Sequence, residues 1–380
     1  MRIAELKIET FFAEYEFVTR YVMCGSDAEA LPMRDLVEMA DPESRKLWDN
    51  LVLGYTETWG HPLLREAIAA QYDGVTAENV LVFSGAQDAI FCMMNAELSP
   101  GDHVVVATPC WQPLYEVAEA AGADVTRVRM DVGDGFGFDV SRIVDAVRED
   151  TRMIVVNAPN NPTGALPTQA EFTRLRQLAD DIGATLVSDE IYRLLEHDVA
   201  DRLPAAVEVS DTGVSIGVVS KVYGLPGARI GWLASKNSDL LRRAAGMKHY
   251  TTICAAAPSE LLALMALRNA EQVLARPRGI VRANLPLLDE FFARHRDLVS
   301  WNRPGAGTVA FPRFRISMSS REFVDLVRRR AGVLLLPGDV FDEPDGYVRI
   351  GYGRSNMPEA LERLDQFLTE AAPELKVSGG

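Results

Sequence analysis

Residues 215–232 read Ser-Ile-Gly-Val-Val-Ser-Lys-Val-Tyr-Gly-Leu-Pro-Gly-Ala-Arg-Ile-Gly-Trp, and no other stretch constrains the chain as much. The apolar run 214–219 reads as a buried strand. It delivers Ser220 and Lys221 onto a loop punctuated by Gly224, Pro226 and Gly227. Burying an ammonium group is costly, so a lysine at the end of a buried strand needs a reason to be there. A desolvated lysine has a depressed pKa and attacks aldehydes, and forming an imine is such a reason. The plain alternative is a surface lysine after a strand. Lysine is scarce here: Lys7, Lys46, Lys221, Lys236, Lys248 and Lys376 are all there are, and only Lys221 has this setting.

From residue 80 to about 235, short apolar runs alternate with helical spacing. That pattern implies an α/β fold with a mostly parallel sheet and helices on both faces. Ligand groups gather at the C-terminal ends of such strands. The strand 80–83 feeds Ser84-Gly85-Ala86-Gln87-Asp88, which opens a helix. Unpaired N–H groups and the helix dipole make that N-terminus an anion site, with Asp88 as a first-turn acid. The strand 102–107 ends near Trp111, whose flat face suits stacking on a ring; a core tryptophan is the alternative. The strand 153–156 runs into Asn157-Ala158-Pro159-Asn160-Asn161-Pro162-Thr163-Gly164, a turn on pattern alone. The strand 185–187 ends at Ser188-Asp189-Glu190-Ile191-Tyr192. A buried Asp189 needs a cationic partner. Arg349 sits in the apolar strand 347–352 and needs an anion.

These motifs together resemble the fold-type-I pyridoxal-phosphate enzymes, aminotransferase class I/II, over nearly the whole chain from about Leu53. The intervals fit that likeness: Asp189 lies 28 residues after Asn161, Lys221 32 after Asp189, and Arg229 eight after Lys221. The resemblance implies pyridoxal 5′-phosphate as cofactor, held covalently by Lys221. Gly85, Ala86, Gln87, Ser220 and Arg229 would hold its phosphate, with Arg229 as a planar clamp. Trp111 would stack on its ring. Asp189 would keep the ring nitrogen protonated, and Asn161 and Tyr192 would bond its phenolic oxygen. Arg349 and Asn161 would receive the carboxylate of an amino acid substrate. Tyr55 would reach the phosphate of a neighbouring subunit, which implies a homodimer with shared active sites. Val218 departs from the family pattern, in which a hydroxyl three residues before the lysine touches the phosphate.

The implied reaction is transfer of an α-amino group to a 2-oxo acid. Some phrases, including Thr308-Val309-Ala310-Phe311-Pro312-Arg313-Phe314, resemble instead the cyclases of capreomycidine-type antibiotic pathways, which act on a hydroxylated arginine. Elimination, replacement, cyclisation or oxidation on the same scaffold is therefore the alternative. Cys24-Gly25-Ser26-Asp27-Ala28-Glu29 replaces the usual Gly-x-Gly-x-Pro turn of the loop that closes over the substrate, which leaves the substrate open. Asp27 and Glu29 could pair with a cationic substrate side chain; the plain alternative is ordinary solvated acids or helix-capping residues ahead of 33–39. A non-catalytic regulator of this fold would carry a DNA-binding domain, for which the acidic segment before Leu53 is unsuited.

A net charge of −15 argues against nucleic acid or an anionic membrane as partner. Cys24, Cys92, Cys110 and Cys254 are spread without a Cys-x-x-Cys, so free thiols in the cytoplasm are expected, with no metal site. Residues 1–10 are amphipathic rather than signal-like, and no apolar run reaches spanning length. A helix is expected over 3–22, and a frayed tail over 377–380. Residues 49–280 are expected to form a large cofactor domain. Residues 1–48 and 281–380 are expected to form a smaller α+β domain.

Overall fold

A computed structural model describes residues 2–130 and 136–375. The expected tail 377–380 and Lys376 lie outside the described residues. Seven strands build the central sheet: β1 (Val80–Phe83), β2 (His103–Thr108), β3 (Asp124–Arg129), β4 (Thr151–Asn157), β5 (Thr185–Asp189), β6 (Val214–Val218) and β7 (Gly231–Ser235). Their spatial order is β1-β7-β6-β5-β4-β2-β3. All neighbours pair in parallel except β7, which runs antiparallel to both β1 and β6.

The apolar runs in β1, β2 and β4 are explained by burial on both faces. Val80, Val82, Val105, Ala107, Ile154 and Val156 face one core. Leu81, Phe83, Val104, Val106, Met153 and Val155 face the other. The edge strand β3 alternates half-buried and exposed residues and carries Arg127 and Arg129, which leaves it a poor template for further pairing. Because β1 runs with β6, the C-terminal ends of β1, β2, β4, β5 and β6 open onto one edge. Every motif singled out between residues 84 and 221 leaves the sheet there.

The N-terminal helix is shorter than its sequence pattern suggested. Helix α1 covers Lys7–Tyr15, and Tyr21–Val22 is a strand parallel to Val333–Leu334. The Thr19 hydroxyl donates to the Tyr15 carbonyl, and Thr19 and Val22 are β-branched, so the last turn ends instead of propagating. Residues 299–351 add short antiparallel pairs, including Val309–Ala310 and Leu336–Pro337 on either side of Val348–Gly351. The helix Ala270–Arg294 is tied to the end of this region, where Asn284 Nδ2 donates to the Tyr352 and Arg354 carbonyls. Cys24, Cys92, Cys110 and Cys254 are free thiols, and burial pushes Cys24 and Cys92 up to about 12. No described helix is long and apolar enough to cross a membrane.

Candidate active site

A cavity of about 670 Å³ lies at the shared strand edge, roofed by α1 and by residues 25–30. That volume suits a cofactor together with a small substrate. Lys221 reaches its wall one turn beyond β6, where Nζ donates to Ser26 Oγ at 2.8 Å. Burial lowers its pKa most, and Arg349 adds to this, against the opposing pull of Asp27, Glu9 and Asp189.

Helix α2 (Ala86–Glu97) begins at Gly85, whose φ is +101°. A Cβ there would stand 2.7 Å from Arg229 Nη2, so glycine is required both by conformation and by the guanidinium. Ala86, Gln87, Ser220 and Arg229 all line the cavity. The first-turn N–H groups of α2 have no partner inside the helix, and the buried Ser220 hydroxyl is unpartnered among the described residues. Donors sharing one cavity wall, with Ser220 Oγ unpartnered among the described residues, fit a phosphate group. Val218 lines the same wall without a hydroxyl. Asp88 serves the helix start: it accepts from Ser84 N, Thr251 Oγ1 and Thr252 Oγ1.

Asp189 ends β5 and is 1% exposed, yet its Oδ1 has no partner among the described residues. Burial pushes its carboxyl up to about 7. A protonated ring nitrogen would supply the missing partner. Trp111 lies on the cavity wall, fixed by a 2.9 Å bond from Nε1 to Gln87 Oε1. These groups fit pyridoxal 5′-phosphate: an anion cradle, a flat ring face, an orphaned carboxylate oxygen and a lysine.

Arg349 is fully buried in the strand Val348–Gly351. Nη1 donates to Asn161 Oδ1 at 2.9 Å, and Nε and Nη2 donate to the Cys24 carbonyl. None of these partners is an anion, so the charge is desolvated without a counter-ion in contact. A substrate carboxylate would supply one.

The structure places four of the expected site residues as follows. Tyr192 is buried and is not among the residues that line the cavity; its hydroxyl donates to the Ser26 carbonyl at 2.7 Å. Glu29 is spent within the protein, pairing with Arg276 and accepting from the Ser355 N–H and hydroxyl. Asp27 does line the cavity but is paired with Arg354 at 3.1 Å. Tyr55 is 89% exposed and takes no part in its own chain's cavity.

Sequence reasoning missed four wall residues with polar side chains: Glu9, Glu16, Ser26 and Arg354. Glu9 and Glu16 are seven residues apart, two helical turns, and that spacing was the available signal. Arg354 carried none, because its meaning lies in Asp27, 327 residues away.

The family model for aminotransferase class I and II matches residues 33–364. Capreomycidine synthase from Streptomyces vinaceus is 31% identical over 322 residues, covering 84% of this chain and 82% of that protein. Aspartate/prephenate aminotransferase from Thermus thermophilus is 31% identical over 333 residues, covering 83% and 84%. A pyridoxal-phosphate-dependent aminotransferase of known structure from Streptococcus suis 89-1591 superposes with a TM-score of 0.91 at 31% identity, covering 97% of this chain and 99% of that one. The chain belongs to the aminotransferase class I and II family, and its cofactor is pyridoxal 5′-phosphate.

Proposed function

We propose that this enzyme moves the α-amino group of an amino acid to a 2-oxo acid. Lys221 holds the cofactor through Nζ. Ser220, Arg229 and the Gly85–Ala86–Gln87 turn would hold its phosphate, Trp111 would offer its ring a flat face, and Asp189 would be the acid for its ring nitrogen. Arg349 and Asn161 seat the substrate carboxylate. When bound, the cofactor supplies an electron-withdrawing ring that takes up the pair left on the α-carbon. Lys221 Nζ would be the base that takes the α-proton, and its lowered pKa suits that task. The orphaned Asp189 oxygen in the same cavity as Lys221 is the observation that carries this reading.

A second copy of the chain would cover the exposed Val52, Leu53, Tyr55 and Tyr250; Thr56 Oγ1 donates to the Ala255 carbonyl beside them in sequence. Such a dimer would bring Tyr55 to the partner's cofactor. A cytoplasmic enzyme fits the four free thiols.

Glu9 and Glu16 favour a second reading of the substrate. Both line the cavity, and neither makes an ion pair among the described residues. With Asp27 held by Arg354, they are the acids left to meet a cationic side chain, as a capreomycidine synthase-like reaction on an arginine-type amino acid requires. Incubating the protein with amino acids, with and without 2-oxo acids, separates the branches by mass spectrometry. Amino exchange supports transamination; a cyclised or oxidised product with no new amino acid supports the other branch. On the cationic reading, Glu9→Gln with Glu16→Gln raises KM for arginine roughly tenfold and leaves alanine nearly unchanged. Preference for aspartate, seated on an Arg354 released from Asp27, contradicts it.

A further inference from the structure

Ser26 belongs to no motif, yet its Oγ is the one hydrogen-bond partner of Lys221 Nζ among the described residues, at 2.8 Å. It is held there from several sides. Its carbonyl accepts from the buried Tyr192 hydroxyl at 2.7 Å and from Thr308 Oγ1 at 3.0 Å. Two residues on, Ala28 N donates to the Lys221 carbonyl at 3.2 Å. The hydroxyl is thus fixed relative to the amine by a network that involves neither cofactor nor substrate. Tyr192 finds its use here, as a clamp on the Ser26 main chain.

We infer that Ser26 is a positioning residue that stabilises the protonated form of Lys221 during turnover. The inference rests on Lys221 being the base at the α-carbon. In that step the substrate Cα–H bond breaks and an N–H bond forms on Nζ, while the bonding pair stays on the substrate, where the cofactor delocalises it. The new ammonium group lies in a desolvated wall and cannot be stabilised by bulk water. Asp27, Glu9 and Glu16 face it from the N-terminal segment, Asp189 from β5, and Arg349 from the strand Val348–Gly351. None of these makes a hydrogen bond to Nζ; Ser26 Oγ does, by accepting. A bond to a charged donor is stronger than one to a neutral amine, so Ser26 favours the proton-bearing state and fixes its direction.

The test compares Ser26→Thr, which keeps the hydroxyl, with Ser26→Val, which has the shape of threonine without it. The rate at which colour forms when pyridoxal 5′-phosphate is mixed with full-length apoprotein follows the unprotonated fraction of Nζ. Its pH midpoint should fall by about one unit in Ser26→Val and stay within a few tenths of the parent in Ser26→Thr. In the loaded enzyme, kcat should fall roughly tenfold for the valine variant with KM within about twofold, and recover with threonine. Equal midpoints for the two variants overturn the role of Ser26, even if activity drops. An unmodified protein that never forms colour overturns the Lys221 reading on which it stands.

Discussion

Lys221→Ala should lose turnover by a factor on the order of 10⁴ or more, because one substitution removes both the covalent hold and the general base. The protein should still fold. Lys221 is a half-buried wall residue whose one side-chain bond goes to Ser26. The cofactor should still bind weakly, because Arg229, Ser220 and the α2 N-terminus remain. Its absorbance should then be that of the free aldehyde, and dialysis should remove it. Lys248 is the contrasting case. It is fully buried, and its Nζ donates to the Val82 carbonyl at 2.7 Å and to the Thr58 carbonyl. Lys248→Met leaves those carbonyls unpaired and should destabilise the fold by roughly 1–3 kcal/mol, with the chromophore intact. Spectra and thermal melts of the two variants separate chemistry from architecture.

Asp189→Asn should act in opposite directions on stability and on activity. The wild-type carboxyl is pushed by burial up to about 7. The folded apoprotein therefore binds this proton more tightly than the unfolded chain does. That contribution to stability is full below the unfolded pKa and is lost as pH rises through about 7. Asparagine has no charge to desolvate. The Asp189→Asn apoprotein should therefore be more stable than wild type at pH 8, by roughly 2–4 kcal/mol, and nearly equal to it at pH 4. Glu190 and Glu260 are pushed up to about 7 by burial as well, so the difference between variants is the informative quantity, not the slope of either. With cofactor the sign reverses: the ring nitrogen loses its anionic partner, and turnover should fall on the order of 10³-fold. Equal melting temperatures at pH 8 together with full activity would show that Asp189 faces nothing charged.

What the sequence made legible was whatever a strand presents at its end. Asn161, Asp189, Ser220 and Lys221 follow runs apolar enough to be buried on both faces, and the parallel sheet brings their ends together. The N-terminal segment was read less well, because its local pattern is ambiguous and its partners are remote. Glu29 looked free until Arg276 and Ser355 folded onto it. Asp27 met Arg354, and Tyr192 turned to the Ser26 carbonyl 166 residues away. Charge pairs and hydroxyl bonds of that separation leave no periodicity to read. The helical pattern over 3–22 failed for a nearer reason, a threonine bonding back to the last turn.

The most direct measurement is to reduce the cofactor-loaded protein with borohydride, digest it, and locate the modified lysine by mass spectrometry. The reduced cofactor is expected on Lys221, with Lys248 and Lys236 unmodified. Cofactor mass on another lysine, or on none while the protein remains active, would contradict the assignment of Lys221 as the residue that carries it.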